Sequence, residues 1–273
     1  MNLTNLTAGA LALLPLAAAA QDVTWTAIAG EDRRVPMPPL QGNTDRTFNS
    51  LYLAHAGGDR WGFWQSFPDA ETGLWSRNNG ALVRYMQFNV TGAAGPNRAD
   101  AQNHVFVDRF SGYEDVAPDG SRVFLARAGQ PGVSSTQSNG AWVWTGASNR
   151  EIARTVTQGA LGPGLDAGWY IDGSSGFKQL RALNGGAAIL DLSVVSPTTS
   201  THTAIARHTP GSGNAACALS GSTDARYAPG ITAGDTFTRW AGNTRVRTVD
   251  TQGRVYGLFD VSGSREGIFR LCE

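Results

Sequence analysis

The 22 basic and 22 acidic side chains of this 273-residue chain cancel, which removes the electrostatic reason to expect a nucleic-acid or anionic-membrane partner. Its 34 glycines and 12 prolines leave few stretches long enough for helices, and predict many short strands joined by turns. Lys178 is the only lysine, and the arginines are spread along the whole chain, so no basic surface stands out.

Residues 1–20, MNLTNLTAGALALLPLAAAA, are an apolar run ending in Ala-x-Ala before Gln21. They predict a secretory signal peptide, too short for an ordinary span, although no Lys or Arg precedes the run. No later stretch reaches the ~18 uninterrupted apolar residues of a transmembrane helix. The expectation is an exported monomer, extracellular or periplasmic, without a membrane span. In such a chain Cys217 and Cys272 are expected to form a disulfide. Neither lies in a Cys-x-x-Cys or beside a histidine, so no metal, redox centre or other cofactor is expected.

Beyond the signal the chain repeats itself about every 65 residues, the mark of one supersecondary unit copied in tandem. A Gly-x-x followed by an apolar run appears as GDRWGFWQSF from Gly58, GSRVFLARAG from Gly120, GAAILDLSVV from Gly186 and GRVYGLFDVS from Gly253. Downstream, GLWSRNNGALVRYMQFNVTG (73–92) aligns without a gap to GAWVWTGASNREIARTVTQG (140–159). In 83–90 both alternating faces carry apolar residues, which suits a strand covered on both sides. In 150–157 Ile152 and Val156 alternate with polar partners.

In chain order the repeats run over 31–90, 91–157, 158–207 and 208–273. The third divides into strands at 177–183, 187–195, a weak one near 198–200, and 201–207. The fourth divides into an interrupted strand at 236–242 and 245–249, then 254–261 and 267–271, and stops one strand short. A segment resembling 201–207 stands at 23–29, and both contain TAIA. A strand supplied from the other end of the chain is what closes a β-propeller and abolishes its open edge. The predicted fold is therefore all-β: a single four-bladed propeller whose last blade, with both cysteines, is completed by residues 23–29. Two β-sandwiches of two repeats each are the alternative, and no Pro- or Ser-rich linker near residue 140 supports them.

The order of motifs resembles a group of secreted bacterial tandem-repeat proteins of the choice-of-anchor type, with an Asn-x-x-Gly-x-x-Ala-Phe-like unit. The matching pieces are Leu183-Asn184 before Gly186, Asp250 to Gly253 before Val255, Gly267-Ile268-Phe269, Gly140-Ala141-Trp142, the Ile-Ala pairs at 28–29, 152–153 and 205–206, and the Pro-Gly pairs at 163–164, 210–211 and 229–230. His55-Ala56-Gly57-Gly58 replaces the Asn motif in the first repeat, and the third lacks the Gly-Ile-Phe strand. The resemblance implies a propeller-like fold and export. It carries no catalytic residue.

Catalytic signatures are missing: no Gly-x-Ser-x-Gly, His-Glu-x-x-His, phosphate-binding loop or calcium loop occurs. Ser175-x-x-Lys178 has a nucleophile-like spacing but enters a predicted strand, where residues three apart point oppositely. His55, His104, His202 and His208 are scattered over the repeats, and the loop acids Asp100, Asp108, Asp166, Asp172, Asp224 and Asp235 read as turn-formers. Most tryptophans fall within strands. Trp169 does not: with Tyr170, flanked by Asp166 and Asp172 in GLDAGWYIDG, it suits stacking on a sugar ring with hydrogen bonds to hydroxyls. These four are the candidate ligand-binding residues. The expected role is non-enzymatic recognition of a carbohydrate, protein or envelope surface through variable inter-blade loops. An extracellular polysaccharide hydrolase or lyase, with carboxylates converging near the axis, is the alternative.

Overall fold

The computed structural model describes residues 34–36, 45–47, 50–57, 60–66, 73–78 and 81–272, apart from 174–175, 239–245, 251–253 and 264. The expected signal peptide and the strand at 23–29 lie outside the described residues. Within them, every regular element other than three single 3₁₀ turns is a strand, so the protein is all-β. A short ladder, β1 (Arg34–Pro36) with β2 (Asp45–Thr47), precedes four antiparallel meanders.

The first sheet is β3 (Ser50–Gly57), β4 (Arg60–Ser66), β5 (Gly73–Asn78) and β6 (Ala81–Gln87), in that order. The second is β7 (Val105–Val116), β8 (Arg122–Gly129), β9 (Ser138–Trp144) and β10 (Asn149–Arg154). In the third, β11 (Tyr170–Ile171) and β12 (Phe177–Ala182) share one edge of β13 (Ala188–Val195), followed by β14 (Thr201–Thr209) and β15 (Gly213–Leu219). The fourth is β16 (Val246–Val249), β17 (Val255–Val261) and β18 (Arg265–Leu271). Ahead of β16, Phe237 forms an isolated bridge to Val261, and residues 239–245, between Phe237 and β16, lie outside the described residues. Each of the four Gly-x-x runs becomes the second strand of a sheet: β4, β8, β13 and β17.

Alternation along these second strands explains how the sheets stack. From β8, Phe124, Ala126 and Ala128 join Leu74, Tyr85 and Met86 of the first sheet, while Val123 and Leu125 join Leu190 and Leu192 of the third. From β13, Leu190 and Leu192 face the second sheet and Ile189 faces Phe259 and Val255 of the fourth. Both faces of β8 and β13 are thus buried, which is why both are mostly apolar, with Arg122 in β8 and Asp191 and Ser193 in β13 as buried polar exceptions. On β17 only alternate residues are buried; Tyr256, Leu258 and Asp260 remain half-exposed. The first strands β3, β7 and β12 are spatial neighbours, with β7 in the middle.

The repeat extends to irregularities. The fourth strands of the first three sheets slip register at Tyr85, Ile152 and Cys217, each the extra residue of a β-bulge. Four residues beyond each bulge the backbone turns left-handed, at Asn89 (φ 59°), Val156 (φ 56°) and Gly221 (φ 75°). Each of these N–H groups then donates to the first strand of the next sheet, at the carbonyls of Phe106, Ile171 and Phe237. Asn and Gly tolerate that conformation; Val does not.

Four strand expectations change. Residues 198–200 form a turn, with Thr199 at φ 66° and Ser200 N–H donating to Ser196 Oγ. Residues 201–209 are a third strand, and the fourth, β15, lies in what reads as loop, because Asn-Ala-Ala-Cys-Ala carries no β-branched or aromatic signal. The TAIA of 203–206 therefore sits at a third-strand position. Val156 has left the strand and is 68% exposed. Finally, Cys217 and Cys272 do form a disulfide, with Cα atoms 5.1 Å apart, but it joins the third sheet to the end of the fourth. The sequence places both in one repeat because it misses β15.

Candidate functional site

In a meander the turn joining strands one and two and the turn joining strands three and four emerge at the same end of the sheet. Between the second and third sheets that end holds a cleft of about 450 Å³. Asp119, Gly120 and Ser121 of the β7–β8 turn line it, together with Trp144 to Gly146, Ser148 and Arg150 of the β9–β10 hairpin. Gly185 and Pro210, from the β12–β13 and β14–β15 turns, complete the wall.

The walls are fixed to each other. Asp119 Oδ2 accepts from Gly185 N–H at 2.5 Å and from Ser121 Oγ at 3.0 Å, its Oδ1 accepts from Ser121 N–H, and Asp119 N–H donates to Asn184 Oδ1. Gly186 adopts φ 76°, and a Cβ there would stand 2.7 Å from Thr145 Cγ2, so only glycine lets the two turns approach this closely.

Arg150 is exposed in this cleft and rests on a part-buried chain of hydrogen bonds. Asn214, at the start of β15, donates through Nδ2 to the carbonyls of Ile152 at 2.8 Å and Gly162 at 2.7 Å. Its Oδ1 therefore faces His208 Nδ1, at 2.9 Å, as an acceptor, so that ring nitrogen carries the proton. His208 Nε2 is left with its lone pair toward Arg150 Nη2, at 3.3 Å. Burial lowers the His208 pKa and Arg150 lowers it further, outweighing the bond to Asn214. A neutral imidazole thus orients a guanidinium that points at solvent.

A second, more apolar cleft of about 800 Å³ lies between β6 and the second sheet. Val83, Arg84, Gln87, Asn103, Pro131 and Trp144 are among its walls. Arg84 lies over the Trp75 ring, 5.4 Å from its centroid.

The four candidate residues around 166–172 lie away from both clefts. Trp169 packs against the core between sheets two and three and stands edge-on to His202, centroids 5.2 Å apart. Tyr170 is half-buried on β11, where alternation directs it away from the side of Trp169 and the fully buried Ile171. Asp166 pairs with Arg226 at 3.1 Å, both exposed, while Asp172 N–H donates to Ser193 O and extends the β11–β13 ladder.

Of the acids read as turn-formers, Asp100, Asp166, Asp224 and Asp235 pair with arginines, and Asp108 lies within β7. Arg154 binds Asp100 through two hydrogen bonds and holds its carboxyl near about 2. Asp224 accepts from Arg226 and Asp235 from Arg265. His104 touches Arg98, which is buried against Glu151, so the histidines serve separate places. Among the described residues no three potential metal ligands cluster. Lys178 lies on β12, as its strand pattern requires, and Ser175 lies outside the described residues.

Arg150 and Asn214 escape notice in the sequence, and His208 reads only as one of four scattered histidines. A signal existed in principle: an asparagine opens the fourth strand of both the second and the third sheet. Recognising it requires the correct end of the third repeat.

No protein-family model matches this chain, and no curated protein does. Among solved structures, Hadza microbial sialidase Hz136 is similar at 10% identity over 81% of this chain, with a TM-score of 0.36. The chain spans 43% of that protein. Likeness at that level assigns neither fold nor activity. Among the described residues no helix is long and apolar enough to cross a membrane.

Proposed function

We propose that this protein is an exported binding module that takes an extracellular carbohydrate in the cleft between its second and third sheets. The observation that carries the reading is the cleft itself. Rigid hairpin turns frame it, and Thr145, Ser148 and Arg150 offer exposed polar side chains without belonging to the packed core. Sugars present dense hydroxyl arrays, and a site of fixed donors and acceptors recognises them at little ordering cost. Among the described residues the one carboxylate lining it, Asp119, is engaged by the neighbouring backbone, which favours binding over acid–base cleavage. The disulfide fits the oxidising compartment that the N-terminal sequence implies. The test is a glycan array read with the intact protein and with Ser148→Trp, which fills the cleft. The wild type should bind and the variant, melting at the same temperature, should lose at least tenfold in affinity, about 1.4 kcal/mol. Equal binding by both would overturn the reading.

The same reading extends to the fold: a ring of four blades, with residues 23–29 pairing along the outer edge of β18. Two observations support it. In the first three sheets the third strand is covered by a fourth, whereas β18 ends the described fourth sheet, with Ile268 78% exposed. The half-exposed face of β17 would also gain a cover. Deleting residues 21–30 should lower the melting temperature of the whole molecule in one transition; an unchanged melt would overturn closure.

A further inference from the structure

We propose that the cleft selects a carboxylate-bearing sugar, gripped by the guanidinium N–H groups of Arg150 that His208 does not engage, and that His208 must be neutral to present them. This rests on the carbohydrate reading above and names the ligand's charge.

The first observation is the company Arg150 keeps. Arg98, Arg154, Arg226, Arg254 and Arg265 each pair with a carboxylate. For Arg150, among the described residues, the hydrogen bond of the guanidinium runs to an imidazole lone pair. That bond fixes direction without neutralising charge. The acid nearest in the wall, Asp119, already accepts from Gly185 N–H, Ser121 N–H and Ser121 Oγ. A planar guanidinium with free N–H groups matches the two oxygens of a carboxylate in a bidentate pair. Thr145 and Ser148 stand in the same wall for the hydroxyls beside that carboxylate.

The second observation is the chain behind it. Asn214 has both amide hydrogens committed to the carbonyls of Ile152 and Gly162, so it cannot turn to offer His208 a donor. The imidazole consequently has one arrangement that satisfies Asn214 and Arg150 together, the neutral form protonated on Nδ1. Around His208 lie β13 with Ala188, β15 with Asn214 and β10 with Arg150, and Arg150 is the charged group that faces it. Protonating Nε2 would set N–H against N–H and place a second cation beside the first. Arg150 would then be driven off its support, and ligand affinity would fall on acidification. His208 is a positioning residue, and the pH profile separates that role from simple packing.

The experiment is calorimetric titration of the intact, disulfide-bonded protein with the trimer of galacturonic acid and with the neutral trimer of galactose, between about pH 8 and about pH 5.5. The acidic trimer should bind at least tenfold more tightly at the upper pH, and Arg150→Gln should abolish the difference between the two sugars. For the wild type, affinity for the acidic trimer should drop toward the lower pH. In His208→Gln, where an amide oxygen can still accept from Arg150, the profile should be flat. Equal affinity for both trimers, or an Arg150→Gln variant that keeps the preference, would overturn the selection by Arg150. If Ser148→Trp still abolished binding in that case, the carbohydrate reading would stand. A His208→Gln variant with the wild-type pH profile would overturn the role of His208. Failure of the wild type to bind either trimer would overturn this proposal, while the glycan array decides the broader one.

Discussion

Asn149, the first residue of β10, donates from Nδ2 to the main-chain carbonyl of Tyr85 on β6 at 2.6 Å, and also to the carbonyl of Gly95 at 3.0 Å. One repeat later Asn214 donates to Ile152 and Gly162 in the same way. Tyr85 and Ile152 are the bulge residues of their strands, whose carbonyls the bulge frees from the ladder. An asparagine clasp thus ties β10 to β6 and β15 to β10. At the third sheet the bulge residue is Cys217, and it is tied covalently to Cys272.

Removing a clasp should be costly because it strips the partner from buried carbonyls. Asn149 is 2% exposed. Asn149→Ala should lower unfolding stability by about 2 kcal/mol. Asn149→Asp should lower it further, since a carboxylate there faces carbonyl oxygens. Urea unfolding checks both, and a variant as stable as the wild type would show that the clasp is incidental.

Val156 offers the opposite case. It is exposed and held at φ 56°, where the equivalent residues are Asn89 and Gly221. Val156→Asn should stabilise the protein by about 1 kcal/mol through relief of left-handed strain. Val133, also exposed but at φ −114°, is the control. Val133→Asn should produce no comparable gain in the same melts.

The Cys217–Cys272 bond spans a sequence separation of 55 residues. Cys217→Ser or Cys272→Ser should lower stability by about 2–4 kcal/mol. Wild-type protein unfolded without reductant should give no reactive thiol. Two thiols per chain would refute the pairing.

Acid should weaken the fold in two stages. Burial, followed by neighbouring Arg150 and Arg98, lowers the pKa of His208 and His104 below the ordinary 6.5. The unfolded chain then binds protons that the folded chain refuses, so their contribution is present above 6.5 and lost as pH falls below it. Asp100, held near about 2 by Arg154, contributes above its ordinary 3.8 and fades as pH falls toward about 2. Urea midpoints should be level above about pH 7 and decline below about pH 6. In His208→Gln the first decline should shrink; an unchanged decline would place the titration elsewhere.

The period sufficed to locate the second strand of every sheet, and burial on both faces keeps most of β8 and β13 apolar. The same local logic marked strands at 83–90 and 150–157, which overlap β6 and β10, and compartment chemistry paired the cysteines. Other features were decided by contacts between repeats. The strand β15 is held by its ladder to β14 and by Asn214, since Gly-Asn-Ala-Ala-Cys-Ala-Leu has little intrinsic strand preference. Its placement moved the disulfide from within one sheet to between two. The pairing of Trp169 with His202 and the chain Asn214–His208–Arg150 bring together residues from different strands or sheets. No periodicity reports such contacts. Sequence determines which faces of a strand are apolar, because burial acts on each side chain; only the packing of sheet on sheet determines which polar groups then meet.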